Sequence, residues 1–233
     1  LYSSADDEVI KAVVAQFEKD TGIKVQWTGD TEQTKTTGLV QRLLAEKDNP
    51  QADVWWSSEP FGTIRLARDG LLESYRSKSA ESSMTGGWPG HLRAGDGTWY
   101  GFAPRARVIV YNTLKVRKEE LPRTLHDLTN PRFKGRVGMA RPQFGTAGGH
   151  LAVISLVYGQ PALKSWLDTL AENRVKLFDG NMAVVRAVGS GELLVGITDT
   201  DDVWAGQRNK WPVELIYEPN DIASSPMKSF KGW

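Results

Sequence analysis

Ala52-Asp53-Val54-Trp55-Trp56-Ser57-Ser58-Glu59-Pro60 reads as a strand that breaks into polar residues and meets the start of a helix. Pro60 suits the first turn of that helix, whose apolar residues include Ile64, Leu66 and Leu71. The same order precedes it twice. Leu1-Tyr2-Ser3-Ser4 is a short strand running into polar residues. Asp6 and Asp7 then stand where a helix cap belongs, and Ile10, Val13, Val14 and Phe17 recur at helical spacing. Thr21-Gly22 ends that helix and Ile23 to Trp27 is a second strand. Leu39, Val40, Leu43 and Leu44 mark the next helix, which stops near Asp48-Asn49-Pro50. Strands alternating with helices predict an α/β fold built on a mostly parallel sheet with both faces covered.

A second unit follows. Tyr100-Gly101-Phe102-Ala103-Pro104 leads into a strand, Arg105 to Asn112, on which Arg105 and Arg107 share a face. Thr124 to Leu128 reads as a short helix and Gly135 to Met139 as a strand. A long apolar helix runs from about His150 to Tyr158 after Gly145-Thr146-Ala147-Gly148-Gly149, and a further helix holds Leu163, Trp166, Leu167 and Leu170. Met182 to Val188 is helical, Leu193 to Ile197 is a buried strand ending in Thr198-Asp199-Thr200-Asp201-Asp202, and Val213 to Tyr217 is the last clear strand. There is no internal repeat.

In open α/β sheets the ligand crevice lies at the carboxyl ends of the strands, beside helix N-termini. Ser3, Ser4, Ser57 and Ser58 occupy such ends. Each is read either as a helix cap or as a ligand contact. Arg105 and Arg107 are solvated strand charges or an anion contact, with Arg105 preferred. Of Trp55 and Trp56 only one can face a cleft, and Trp99 and Trp204 either pack or wall a ligand.

Composition removes several classes of function. The 29 Lys and Arg residues balance 28 Asp and Glu, and no basic run of the kind that tracks a phosphate backbone occurs, so nucleic acid is not the expected partner. No apolar stretch approaches the roughly 18 residues that span a bilayer. The absence of cysteine removes thiolate metal sites and Cys nucleophiles, and suits export to an oxidising compartment. The start on Leu1-Tyr2, without Met or a charged leader, is what a removed signal peptide leaves, as does a trimmed start.

Over nearly its whole length the chain resembles the iron(III)-type periplasmic solute-binding proteins of ABC importers, the ferric-binding group with the type II binding-protein fold. The resemblance rests on stretches in family order: Leu1 to Ser4, Phe17 to Val25, Ala52 to Glu59, Trp99 to Asn112, Asp127 to Pro142, and Gly180 to Glu192 with the strand after it. It implies two α/β lobes with a ligand cleft between them, closing by hinge motion. Lobe 1 is expected as residues 1–103 plus 220–233 and lobe 2 as residues 104–219, with crossings near Phe102 to Arg105 and Ile216 to Pro219. From Ile222 to Trp233 the chain departs from the family, whose return strand is followed by further elements, so the size of the chain is a lower bound.

Ferric members hold iron with two adjacent tyrosines after the strand that here begins Gly191-Glu192. The pair falls on Asp201 and Asp202, the family's histidine falls on Asp6, and Glu59 lies within about one residue of its glutamate, so the iron–tyrosinate site is absent. In its place stand Asp6, Glu59, Asp199, Asp201 and Asp202 with Ser3, Ser4, Ser57, Thr198 and Thr200. The family's anion-holding positions carry over to Arg105, Gly145, Thr146, Ala147 and Asn181. Carboxylates gathered in one cleft need a cation or hydrogen-bond donors among them, which favours a metal ion with hard-oxygen ligands, a cationic solute or a hydroxyl-rich one. Asp199, Asp201 and Glu59 are the candidate metal ligands. The alternative reading of Asp201 and Asp202 is as caps of the helix that carries Trp204.

The expected function is therefore a periplasmic or extracellular solute-binding subunit. It captures a small ligand, a metal ion with or without an anion, and delivers it to ABC permease subunits. It is expected to act as a monomer, without catalysis and without a cofactor beyond a transported metal. The alternatives are a binder of an organic solute (polyamine, sugar or phosphonate-like anion), a sensor lobe, or a hydrolase built on Ser57-Ser58 and the aspartates. None of His91, His126 and His150 belongs to a sequence motif that would supply the hydrolase with a base.

Overall fold

The computed structural model describes residues 1–30, 34, 36–143 and 145–219. The chain divides into two compact units, Leu1–Pro104 and the residues from Arg105 onward. The 220–233 segment expected to rejoin the first lobe lies outside the described residues.

In the first unit the elements run β1 (Tyr2–Ser3), α1 (Asp7–Thr21), β2 (Thr28–Gly29), α2 (Thr37–Ala45), β3 (Trp55–Trp56), α3 (Pro60–Arg68) and α4 (Lys78–Ser82). The strands form a parallel sheet in the order β2-β1-β3, with Tyr2 opposite both Thr28 and Trp55. Helix α1 begins after Asp6 in extended backbone, and Asp7 and Glu8 place negative charge at its positive end. Strand pairing is shorter than the hydrophobic pattern suggests. Ile23 to Trp27 is not a strand; pairing starts at Thr28, because β1 offers only two residues to pair with and their register meets Thr28–Gly29. Tyr2, Ile10, Leu39, Val40 and Leu66 are the buried apolar side chains of this unit among the described residues.

The second unit contains β4 (Arg107–Asn112), three short 3-10 turns between Lys118 and Phe133, β5 (Val137–Ala140), α5 (Gly145–Tyr158) and α6 (Gln160–Glu172). It continues with β6 (Lys176–Phe178), α7 (Asn181–Gly189), β7 (Val195–Asp199), α8 (Thr200–Arg208) and β8 (Val213–Ile216). The sheet order is β6-β5-β7-β4-β8. Strands β6, β5 and β7 are parallel, whereas β4 runs antiparallel to both β7 and β8. Strand alternation gives this sheet two cores. Ile109, Val137, Met139, Val195 and Ile197 pack with Phe133, Ile154, Trp166 and Leu170. Val108 and Val110 pack with Val184, Val185, Val188, Leu193 and Val203. A Cβ at Gly196 would meet Val184 Cγ1 at 2.4 Å and Gly138 O at 3.1 Å, so glycine sets how closely α7 lies on β7.

Candidate functional site

The buried strand β7 ends in Asp199, which is only 2% exposed and is also the residue from which α8 starts. Its carboxylate does not cap that helix. One oxygen, Oδ1, accepts from Arg107 Nη1 at 2.9 Å. The other, Oδ2, accepts from Thr146 Oγ1 at 2.7 Å and Asn181 Nδ2 at 2.9 Å. Arg107 Nη1 also donates to Asn181 Oδ1 at 3.0 Å, and Asn181 Nδ2 to Thr146 Oγ1 at 3.0 Å. Strand β4 thus supplies Arg107, and the first turns of α5 and α7 supply Thr146 and Asn181. Gly145 opens α5 with φ 59°, in the left-handed region that favours glycine, and Ala147 is buried beneath the same turn.

The first turn of α8 brings the other two aspartates. Asp201 Oδ2 accepts from Arg105 Nη1 at 2.5 Å, and Asp202 Oδ2 accepts from Thr198 Oγ1 at 3.2 Å. Capping does not explain Asp201 and Asp202, since Asp199 holds the N-cap position and they follow it inside the helix. Carboxylate oxygens of Asp199, Asp201 and Asp202 lie within 4.8 Å of one another. Arg105 Nε is 4.0 Å from Asp199 Oδ2. Burial works against the charge on Arg105, yet the attraction and hydrogen bond of Asp201, with Asp199 and Asp202 behind it, raise its pKa above the ordinary arginine value.

Three polar atoms of this cluster, Arg107 Nε, Arg107 Nη2 and Asp201 Oδ1, are buried without a hydrogen-bond partner. Each unsatisfied buried group costs on the order of 1–3 kcal/mol, which a ligand offering the complementary atom recovers. His150, in α5, is uncharged at neutral pH and feels the charges of Arg107 and Asp199. Burial foremost, and then the Arg107 charge, push its pKa down to about 4, against a smaller opposing pull from Asp199.

In the first unit the serines divide by role. Ser4 Oγ accepts from Thr36 Oγ1 at 3.0 Å and from the Ser58 backbone N–H at 2.9 Å, and its oxygen lies 3.2 Å from Ser58 Oγ. Ser3 Oγ accepts from the Ala5 N–H and Ser57 Oγ donates to Glu59 O, so these two tie local turns. Asp6 stands at the N-cap of α1 without a side-chain cap bond. Glu59 caps α3, its two oxygens accepting from Phe61 N at 2.6 Å and Gly62 N at 2.9 Å. Burial raises its pKa in spite of those bonds. Both oxygens of this candidate metal ligand are therefore engaged with the helix it starts.

Of the expected positions, Arg105, Thr146, Asn181, Asp199, Asp201 and Asp202 converge in the second unit. Ser4 and Ser58 converge in the first. The central part of Arg107 is what the sequence reading underrated, although its place on one face with Arg105 was the available signal. Thr36, which joins Ser4 while holding φ 71°, carried no sequence signal at all.

Residues 50–223 match the family model described as bacterial extracellular solute-binding protein. Iron uptake protein A1 of Synechocystis sp. is 32% identical over 201 residues, 86% of this chain and 53% of that protein. The Fe(3+)-binding periplasmic protein of Serratia marcescens is 28% identical over 199 residues, 84% of this chain and 55% of that one. The chain thus spans about half the length of the curated relatives it matches. The structure of iron-bound HitA from Pseudomonas aeruginosa aligns with a TM-score of 0.83 at 26% identity, covering 94% of this chain and 69% of HitA. The mixed α/β architecture is that of the type II periplasmic binding proteins, as the sequence resemblance implied. With the match running over most of its length, the chain belongs to the bacterial extracellular solute-binding protein family.

Proposed function

We propose that this chain is the solute-capturing part of an ABC importer. It works in the periplasm or outside the cell as a monomer, binding its ligand by hinge closure of two lobes and passing it unchanged to permease subunits. The ligand is a metal ion accompanied by an anion, taken at the β7–α8 edge of the second unit. The observation that carries this reading is the cluster of Asp199, Asp201 and Asp202, its oxygens within 4.8 Å, set against Arg105 and Arg107 in a family of solute binders. Carboxylates supply hard oxygen donors, and the arginines with Thr146 and Asn181 supply donors for the anion. Relatives named for iron uptake and Fe(3+) binding support the choice of metal. No helix among the described residues is long and apolar enough to cross a membrane.

One observation favours an organic solute as the second reading. Each of the three carboxylates already has a partner within the chain, namely Arg107, Arg105 or Thr198. Such a site suits a polyamine, sugar or phosphonate-like ligand that brings both donors and acceptors. A thermal-shift screen on protein stripped of carried-over ligand separates the two. A ligand at one hundred times its dissociation constant adds about 2.7 kcal/mol of stability. A shift with ferric citrate that Asp201→Ala abolishes supports the metal. A shift with sugar or polyamine alone selects the second reading, and no shift with any of them counts against solute capture by this chain.

A further inference from the structure

Three carboxylates this close repel one another unless positive charge lies among them. Here the chain provides that charge itself. Arg105 Nη1 lies 2.5 Å from Asp201 Oδ2, and its Nε lies 4.0 Å from Asp199 Oδ2. The Arg105 side chain is 25% exposed and that of Asp201 37%, and one guanidinium reaches the carboxylates of both Asp201 and Asp199. Arg107 does not compete for the same place, because it holds the opposite oxygen of Asp199, Oδ1. Asp201 keeps its other oxygen, Oδ1, buried without a hydrogen-bond partner.

We propose that Arg105 is a specificity-determining residue, an internal counter-cation that keeps unchelated divalent cations off the Asp199–Asp201–Asp202 cluster. The proposal rests on the reading that the β7–α8 edge is where the ligand binds. A guanidinium does not lose its proton in a protein, so Arg105 leaves Asp201 only by displacement. Being tethered, it competes at high effective concentration. A hydrated divalent ion brings Arg105 no substitute for the carboxylate it loses. A metal arriving with its own anion does, which separates the proposed cargo from the bulk cations around it.

The test uses the full chain with Mn²⁺ as probe, read by the loss of the free-ion electron paramagnetic resonance signal, with a thermal melt of every variant to check folding. Arg105→Gln is expected to bind one Mn²⁺ at least about tenfold more tightly than wild type, the scale of one charge-assisted pair removed from competition. Arg105→Lys, which retains a tethered cation, stays near wild type. Adding Asp201→Asn to Arg105→Gln abolishes the gain. Equal Mn²⁺ affinity in wild type and Arg105→Gln overturns the proposal, as does a gain that survives Asp201→Asn. Should Arg105→Gln lose its cooperative melt, Arg105→Met serves the same comparison. The wider metal reading fails separately: ferric citrate would then leave wild type and Asp201→Ala unshifted, whatever Mn²⁺ does at Arg105.

Discussion

At Asp199 a side chain placed by sequence as a ligand acts as the tie between four elements, β4, β7, α5 and α7. Its removal strands the Arg107 guanidinium, whose side chain is 14% exposed. Asp199→Ala is therefore expected to cost about 3–5 kcal/mol in urea denaturation, the range for breaking one side of a buried ion pair. His150 makes a pH prediction. Its pKa is about 4 in the folded chain against about 6.5 in an unfolded one, so the unfolded chain binds the extra proton between those values. Stability then falls as pH drops through that window, by up to roughly 3 kcal/mol, and levels off below it. Burial raises the pKa of Glu59 and Glu218, which acts in the opposite direction, so the measurement is the difference between wild type and His150→Gln across pH 7 to about 4. The variant is expected to lose the His150 part of the slope. Residue types were legible here from strand alternation and from the family order. Which oxygen each donor would hold was not, because the partners are 18 to 92 residues apart in sequence.

The elements themselves follow local rules closely where those rules are strong. Pro60 stands in the first turn of α3, Gly22 follows α1 in the left-handed region, and β5, β7 and β8 lie within two residues of their apolar runs. Glu59 is the exception with consequences, since its two carboxylate oxygens cap α3. Glu59→Ala is expected to cost about 1 kcal/mol, seen as a lower melting temperature, while leaving the affinity for ferric citrate unchanged. Gly196→Ala, by contrast, forces α7 off β7 and is expected to cost about 1–3 kcal/mol in the same melt. Weak pairing made other elements hard to read. The exposed run of β6 and the five-residue α4 carry too little periodicity to announce themselves, and the apolar character of Ile23 to Trp27 overstated a strand.

For the whole chain, the two units differ in how much apolar surface each removes from water. The second has two buried clusters across its five-stranded sheet, with Trp166, Phe133 and Ile197 fully enclosed. The first has two-residue strands, and Val9, Val13 and Phe17 of α1 remain exposed along one side. Hydrogen-exchange mass spectrometry should therefore find amides of β4 and β7 protected far longer than those of β1 and α1, because local opening follows the density of buried contacts. Equal protection in both units would contradict that ordering. Hydrophobic period and turn residues, which act within a few positions of the chain, were enough to determine the α/β class and most element positions, and ordered motifs were enough to indicate the family. Only the tertiary structure decided that Arg107 holds Asp199, that Arg105 lies among the aspartates, and that β4 runs against its neighbours. Those outcomes depend on side chains distant in sequence sharing a small volume, where charge and hydrogen-bond geometry are settled by packing and not by any local pattern.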